Sequence, residues 1–107
     1  MIECDLTADI ILYSEQNGGR KNLPPIKDKE YTYRPTIKFI NNKYCFCCGL
    51  IIGSYISDYQ FDEIIRNIKI VVLNKVEASE YLRIGNKFEI FEGLKKIGSG
   101  TIVTVHI

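Results

Sequence analysis

The stretch "IECDLTADIILY", Ile2 to Tyr13, decides the fold. Cys4, Leu6, Ala8, Ile10 and Leu12 fall on one side of a two-residue repeat, and Asp5, Thr7 and Asp9 on the other. Side chains of a strand alternate with that period, so the segment predicts a long, half-buried strand. Its edges need partners, and the chain supplies them. Arg34–Ile40 reads as a second strand with Ile37 and Phe39 together, and Asn41-Asn42 as the turn after it. Lys43–Ser54 reads as a third, with Gly49 or Gly53 at a bulge or bend. Ile68–Leu73 is a further strand that extends toward Val76, and Tyr81–Ile84 a short edge segment. Lys87–Glu92 sets Phe88 and Ile90 against Glu89 and Phe91, "EGLKKIG" turns the chain, and Ser99–Ile107 closes it. Between these, Ile56–Asn67, with "YQFDEIIRN", fits one helical turn or a loop equally well. No long amphipathic helix appears. Turn-separated strands without helices predict an all-β fold, a small closed antiparallel β-barrel of about six strands, because closure removes the exposed edges of so short a sheet.

At 107 residues the chain is one domain, long enough to build a core without staples. Apolar residues make up 46% and charged residues 25%, ordinary values for a globular protein. Isoleucine is the commonest residue, which suits pleated, half-buried surfaces. The net charge of +1 gives no global pull toward nucleic acid or membrane, so any RNA contact must come from a local patch. The apolar runs, such as Gly49–Gly53, are too short to span a bilayer. The acidic N-terminus lacks a basic leader region and a cleavage site, so a cytoplasmic protein is expected.

The four cysteines are Cys4, Cys45, Cys47 and Cys48. "CFCC" lacks the paired C-x-x-C spacing of a zinc site, and His106 is the single histidine. Free thiols acting as small core hydrophobes are the expectation, with a metal or redox role as the alternative. The same lone histidine leaves no Ser/His/Asp arrangement, and Asp58, Asp62 and Glu63 read as a solvated turn. No enzyme activity, metal or cofactor is expected. Ser14–Tyr31 is a long loop, with Gly18-Gly19 free to take positive φ and Pro24-Pro25 barred from ladder pairing. Loops of that length in compact domains are usually functional or disordered.

Two separated stretches resemble the C-terminal (third) β-barrel domain of elongation factor Tu. "DIILYSEQNGGRK" is similar to that domain's first strand and double-glycine, Arg-Lys loop, and "YRPTIKF" to the Tyr-Arg-Pro start of its second strand. "NKFEIFEGLKKIGSGTIVTVHI" resembles the closing hairpin, with matches at Phe88, Ile90, Glu92, Gly93, Lys96, Ile97, Gly98, Ser99, Gly100, Ile102 and Val103. The middle of the chain does not match. Leu94 stands where the family has a second glycine, and Phe91 where it has an arginine. The phosphate-binding loop of a GTPase is missing, so "IVVLNKVE" is not expected to read guanine: Glu77 is a carbon too long, and Asn74 and Lys75 are expected to be strand-end residues. No nucleotide ligand is expected.

The resemblance implies that Gly18, Gly19, Arg20 and Lys21 share one polar surface with Glu92, Gly93 and Lys96, on the side that meets the T stem of aminoacyl-tRNA in the family. It also places Arg34 near the family's contact with its GTPase domain; alternatively Arg34 pairs with a carboxylate and stiffens the barrel. The leading expectation is a non-catalytic adaptor, inhibitor or immunity-type module that binds a protein partner through Gly18–Lys21, Arg34, Glu92, Gly93 and Lys96. Tyr31, Tyr55, Tyr59 and Phe61 are candidates for an apolar patch on such a surface. The alternative is a translation-linked protein that grips a tRNA-like duplex with Arg20, Lys21 and Lys96, since duplex RNA is read through its backbone and shape. A thiol enzyme built on Cys45–Cys48 ranks third. No membrane partner is expected.

Overall fold

The structure, a computed structural model, describes residues 4–22, 33–40, 45–52, 60–73 and 75–106; for 45–52, Lys75 and Glu77 it describes the backbone. Its strands are β1 (Leu6–Leu12), β2 (Thr36–Phe39), β3 (Cys45–Ile52), β4 (Ile64–Val72), β5 (Lys87–Glu92) and β6 (Lys95–Val105), and every pairing is antiparallel. The helical pieces are short: a 3-10 turn at Glu15–Asn17, a helical turn α1 at Lys75–Ala78 and a 3-10 turn at Ser79–Tyr81. A continuous antiparallel sheet runs β4-β1-β6-β5-β2. β3 joins its two outer strands through shorter ladders, pairing Cys45, Phe46 and Cys47 with β2 and Cys48, Ile51 and Ile52 with β4, which completes the ring β1-β4-β3-β2-β5-β6.

Within β1 the inward face is the one its alternation marks: Leu6, Ala8, Ile10 and Leu12 are buried. The pattern fails just before the strand, where Asp5, read as outward, is buried and Cys4, read as inward, is half-buried. Ile37 and Phe39, Phe88 and Ile90, and Ile97 and Ile102 meet them from β2, β5 and β6. Phe39 stacks on Tyr81 at 5.7 Å between centroids and meets Phe88 edge-on at 6.2 Å. Opposite Phe88, β6 carries Gly100. A Cβ there would lie 2.3 Å from the Phe88 ring, so the bare backbone is what seats the aromatic side chain.

Register shifts in four ladders bend the sheet, three of them involving β1 or β6. Ala8 pairs with Ile68 but Ile10 pairs with Ile65, so β4 spends one residue more than β1 at this point. The extra residue turns Ile65 and Ile68, three apart, both inward. Asn67 takes a left-handed φ of 56°, and the outward-facing Asp9 carboxylate accepts its N–H at 3.1 Å. β6 inserts one residue against β5 near Ile97 and one against β1 near Val103. At the far end, buried Asp5 ties three strands: its N–H donates to the Ile70 carbonyl, its carboxylate accepts Val72 N–H at 2.8 Å, and its carbonyl accepts His106 N–H at 2.7 Å. The Val72 N–H gives the buried carboxylate a hydrogen-bond partner, which lowers the cost of its burial.

Several boundaries differ from the sequence reading. β4 starts at Ile64, inside the segment that read as a loop or helical turn, and stops at Val72; Lys75, expected at a strand end, opens α1, and Val76 on the same helical turn is largely exposed. Tyr81–Ile84 is not an edge strand. Tyr81 ends a 3-10 turn, Leu82 drops into the core, and the Asn86 side chain donates to the Tyr81 carbonyl. The last turn is only Gly93-Leu94, because β6 begins at Lys95. The register shift between Cys48 and Ile51 brackets Gly49, where a bend was expected. The Asn41-Asn42 turn, Gly53, Pro24-Pro25 and Asn74 lie outside the described residues. Among the described residues, no helix is long and apolar enough to cross a membrane.

Candidate functional site

β1 and β6 run antiparallel, so the segment leaving β1 and the hairpin entering β6 emerge at the same end of the barrel. The first of these folds back on itself. Gly18 N–H donates to the Glu15 carbonyl, Gly19 N–H to Ser14, and Arg20 N–H to Tyr13 at 3.1 Å. Gly18 takes a φ of 90°, a glycine conformation, and closes the 3-10 turn. Gly19 is squeezed against the preceding strand end: a Cβ would sit 1.8 Å from the Tyr13 carbonyl oxygen. From below, Asp62 anchors the turn, accepting the Ser14 N–H at 3.1 Å and donating its own N–H to Leu12. Hydrogen bonds from Ser14 and Asn17 hold the Asp62 carboxyl below the usual carboxylate range.

This turn aims Arg20 at the hairpin. Its Nη1 lies 2.7 Å from Glu92 Oε2, and the guanidinium stands 5.5 Å from the centre of the Tyr33 ring. The buried Tyr33 hydroxyl donates to the same Glu92 oxygen at 2.5 Å. Burial pushes the Tyr33 phenol far above the ordinary tyrosine range, and the adjoining Glu92 carboxylate adds to this, because a phenolate there would face a negative charge without water. Arg20, Tyr33 and Glu92 form a clasp that joins the post-β1 turn, the chain before β2 and the β5–β6 hairpin.

Beside it, Lys96 Nζ lies 2.5 Å from Glu89 Oε2 and 5.8 Å from the centre of the Tyr13 ring. The Glu89 contact raises the Lys96 ammonium above its ordinary range. Gly93, at a φ of 62°, makes the hairpin turn. The sequence-derived residues therefore divide. Gly18, Gly19 and Gly93 shape turns, Arg20 and Glu92 pair with each other, and Lys96 pairs with Glu89. Lys21 and Arg34 are exposed and enter no ion pair with another described residue. Leu94, at the hairpin tip, is completely exposed, and Lys95 beside it is exposed as well.

Sequence reasoning missed Tyr33 as the centre of the clasp and Leu94 as its apolar tip. The signal for Leu94 was present, since it replaces a glycine in the resemblance. Of the aromatic patch proposed from sequence, Phe61 packs against the core, and Tyr31, Tyr55 and Tyr59 lie outside the described residues. Cys4 is a free, half-buried thiol whose pKa burial pushes up, which disfavours a reactive thiolate. The side chains of Cys45, Cys47 and Cys48 lie outside the described residues. His106 Nε2 sits 3.0 Å from Thr104 Oγ1. Among the described residues, no three His, Cys, Asp or Glu side chains group where a metal ion would sit. No protein-family model matches the chain, and no curated protein matches it.

Proposed function

We propose that the chain is a non-catalytic binding module that meets a protein partner through the clasped end of its barrel. The observation that carries this reading is Leu94, a completely exposed leucine on a hairpin tip that the Arg20–Glu92–Tyr33 clasp holds in place. An exposed apolar tip with the exposed Lys95 beside it, and with exposed Lys21 and Arg34 each next in sequence to a clasp residue, suits a partner with an apolar socket and an acidic rim. Adaptors, inhibitors and immunity-type proteins act in this way. The clasp also bears on the RNA alternative: Arg20 and Lys96 already meet carboxylates, which leaves Lys21 alone of that trio to neutralise phosphate.

The likeness to the third barrel of elongation factor Tu supports the fold of this proposal more than its function. Of the matched positions, Phe88, Ile90, Ile97, Gly98 and Ile102 are buried, and Gly100 seats the Phe88 ring; these are packing positions. The test is capture from a lysate of the source cell, with and without nuclease, using the wild type, Leu94→Asp, and Lys21→Glu combined with Lys95→Glu. A protein partner survives nuclease and is lost with Leu94→Asp. Nuclease-sensitive capture that persists in Leu94→Asp, falls steeply with salt and disappears with Arg20, Lys21 and Lys96 changed to Ala overturns the reading in favour of RNA.

A further inference from the structure

A second surface lies on the outer face of β1, β6 and β5; its end at Tyr13 and Lys96 borders the clasp, and the rest runs along the strands from there. It is an open trough of about 530 Å³ along β6, within the roughly 300–1,000 Å³ of ligand sites. Its floor is set by small side chains on the middle strand: Ser99 pairs with Ile11 and Glu89, and Thr101 with Asp9 and Lys87. Longer side chains on the flanking strands stand above that floor. Ile11 and Ile64, opposite one another in the β1–β4 ladder, make one wall; Ile40 and Lys87 belong to the other. Outward positions on a barrel in water are ordinarily polar, yet Ile40 and Ile64 remain 42% and 55% exposed here.

The charges around the trough do not cancel. The Asp9 carboxylate is taken up by Arg66 at 3.2 Å and by the Asn67 N–H, and Glu89 by Lys96. Lys87 is exposed, and the ion pairs among the described residues do not include it. One ammonium beside an apolar wall calls for a carboxylate next to apolar side chains. The floor hydroxyls of Ser99 and Thr101 recur at the strand repeat, which is about 6.6–6.8 Å for every second residue. Backbone amides of an extended chain lying along β6 recur at the same spacing, which favours a peptide over a fatty acid.

We propose that this trough is a docking site for an extended peptide segment that sets an Asp or Glu side chain on Lys87 and apolar side chains against Ile11, Ile40 and Ile64. The proposal is independent of the Leu94 reading.

The probe is a displayed library of short random peptides, selected against the wild type and against Lys87→Glu. Binders are then titrated into ¹⁵N-labelled protein. The expected result is enrichment of peptides with one acidic residue flanked by aliphatic or aromatic residues, together with shifts of the Ile11, Lys87, Ser99 and Thr101 amide resonances. Lys87→Glu should weaken those peptides by roughly two- to fivefold, the range of an exposed ion pair, and turn the selection toward basic peptides. The exposed position keeps that substitution away from the core. No enrichment, the same enrichment on both proteins, or shifts centred on Gly18–Lys21 and Leu94 each overturn the proposal.

Discussion

Gly100 shows how much one missing methyl group decides. Its Cβ would meet the Phe88 ring at 2.3 Å and Ile10 Cγ2 at 3.0 Å, both in the packed interior. Gly100→Ala is expected to destabilise the fold by about 1–3 kcal/mol, the cost of overpacking, read as a lower urea midpoint at unchanged slope. Tyr33 carries a second residue-level expectation. Its folded pKa is raised, so the stability that comes from keeping the phenol protonated is complete below the unfolded tyrosine value, about pH 10, and is lost as pH rises beyond it. Wild-type protein should therefore lose stability above about pH 10 more steeply than Tyr33→Phe, and ultraviolet difference titration should show a tyrosine that resists ionisation until the protein unfolds and that is missing from Tyr33→Phe. Equal slopes for the two proteins would contradict the Tyr33–Glu92 geometry. Glu92→Gln tests the clasp from the other side. It removes the ion pair with a partly exposed Arg20 but keeps an acceptor for Tyr33, so a loss of about 1 kcal/mol or less is expected by chemical denaturation.

Elements built on clean alternation were legible in the sequence, and those built on bulges were not. β5 runs Lys87–Glu92 as its pattern indicates, and β1 buries the predicted face. β4 was read short because the bulge at Arg66-Asn67 places two inward residues three apart, which defeats a search for a period of two. The clasp was half legible. Its loops were placed on one surface only by the resemblance; Arg20 and Glu92 are 72 residues apart in sequence, and it is the register of β1 on β6 that makes them neighbours. The bulge gives its own prediction. Asn67 holds a φ of 56°, so Asn67→Val should destabilise the protein by about 1–2 kcal/mol while Asn67→Gly leaves stability unchanged or higher, as measured by thermal unfolding. An equal loss for both variants would place the importance in the Asn67 side chain rather than in its backbone.

Across the whole molecule the first and last strands hold each other. Thr7 and Thr104 are hydrogen-bonded at 2.6 Å although 97 residues apart in sequence, and a fold that depends on such distant pairings gains little until the ring forms. Removing residues 95–105 strips both β1 and β5 of their shared partner and should abolish cooperative unfolding rather than leave a smaller stable sheet. In the intact protein, amide exchange should be slowest in β1 and β6 and faster in β3, whose ladders are the shortest. The His106 N–H to Asp5 carbonyl contact fixes the two extremities of the described chain next to each other, at the pole opposite Leu94. A leash attached beyond either extremity would therefore let the barrel hang with its hairpin pointing outward, so the same domain can be tethered from its front or its back in sequence and still offer one face to whatever approaches.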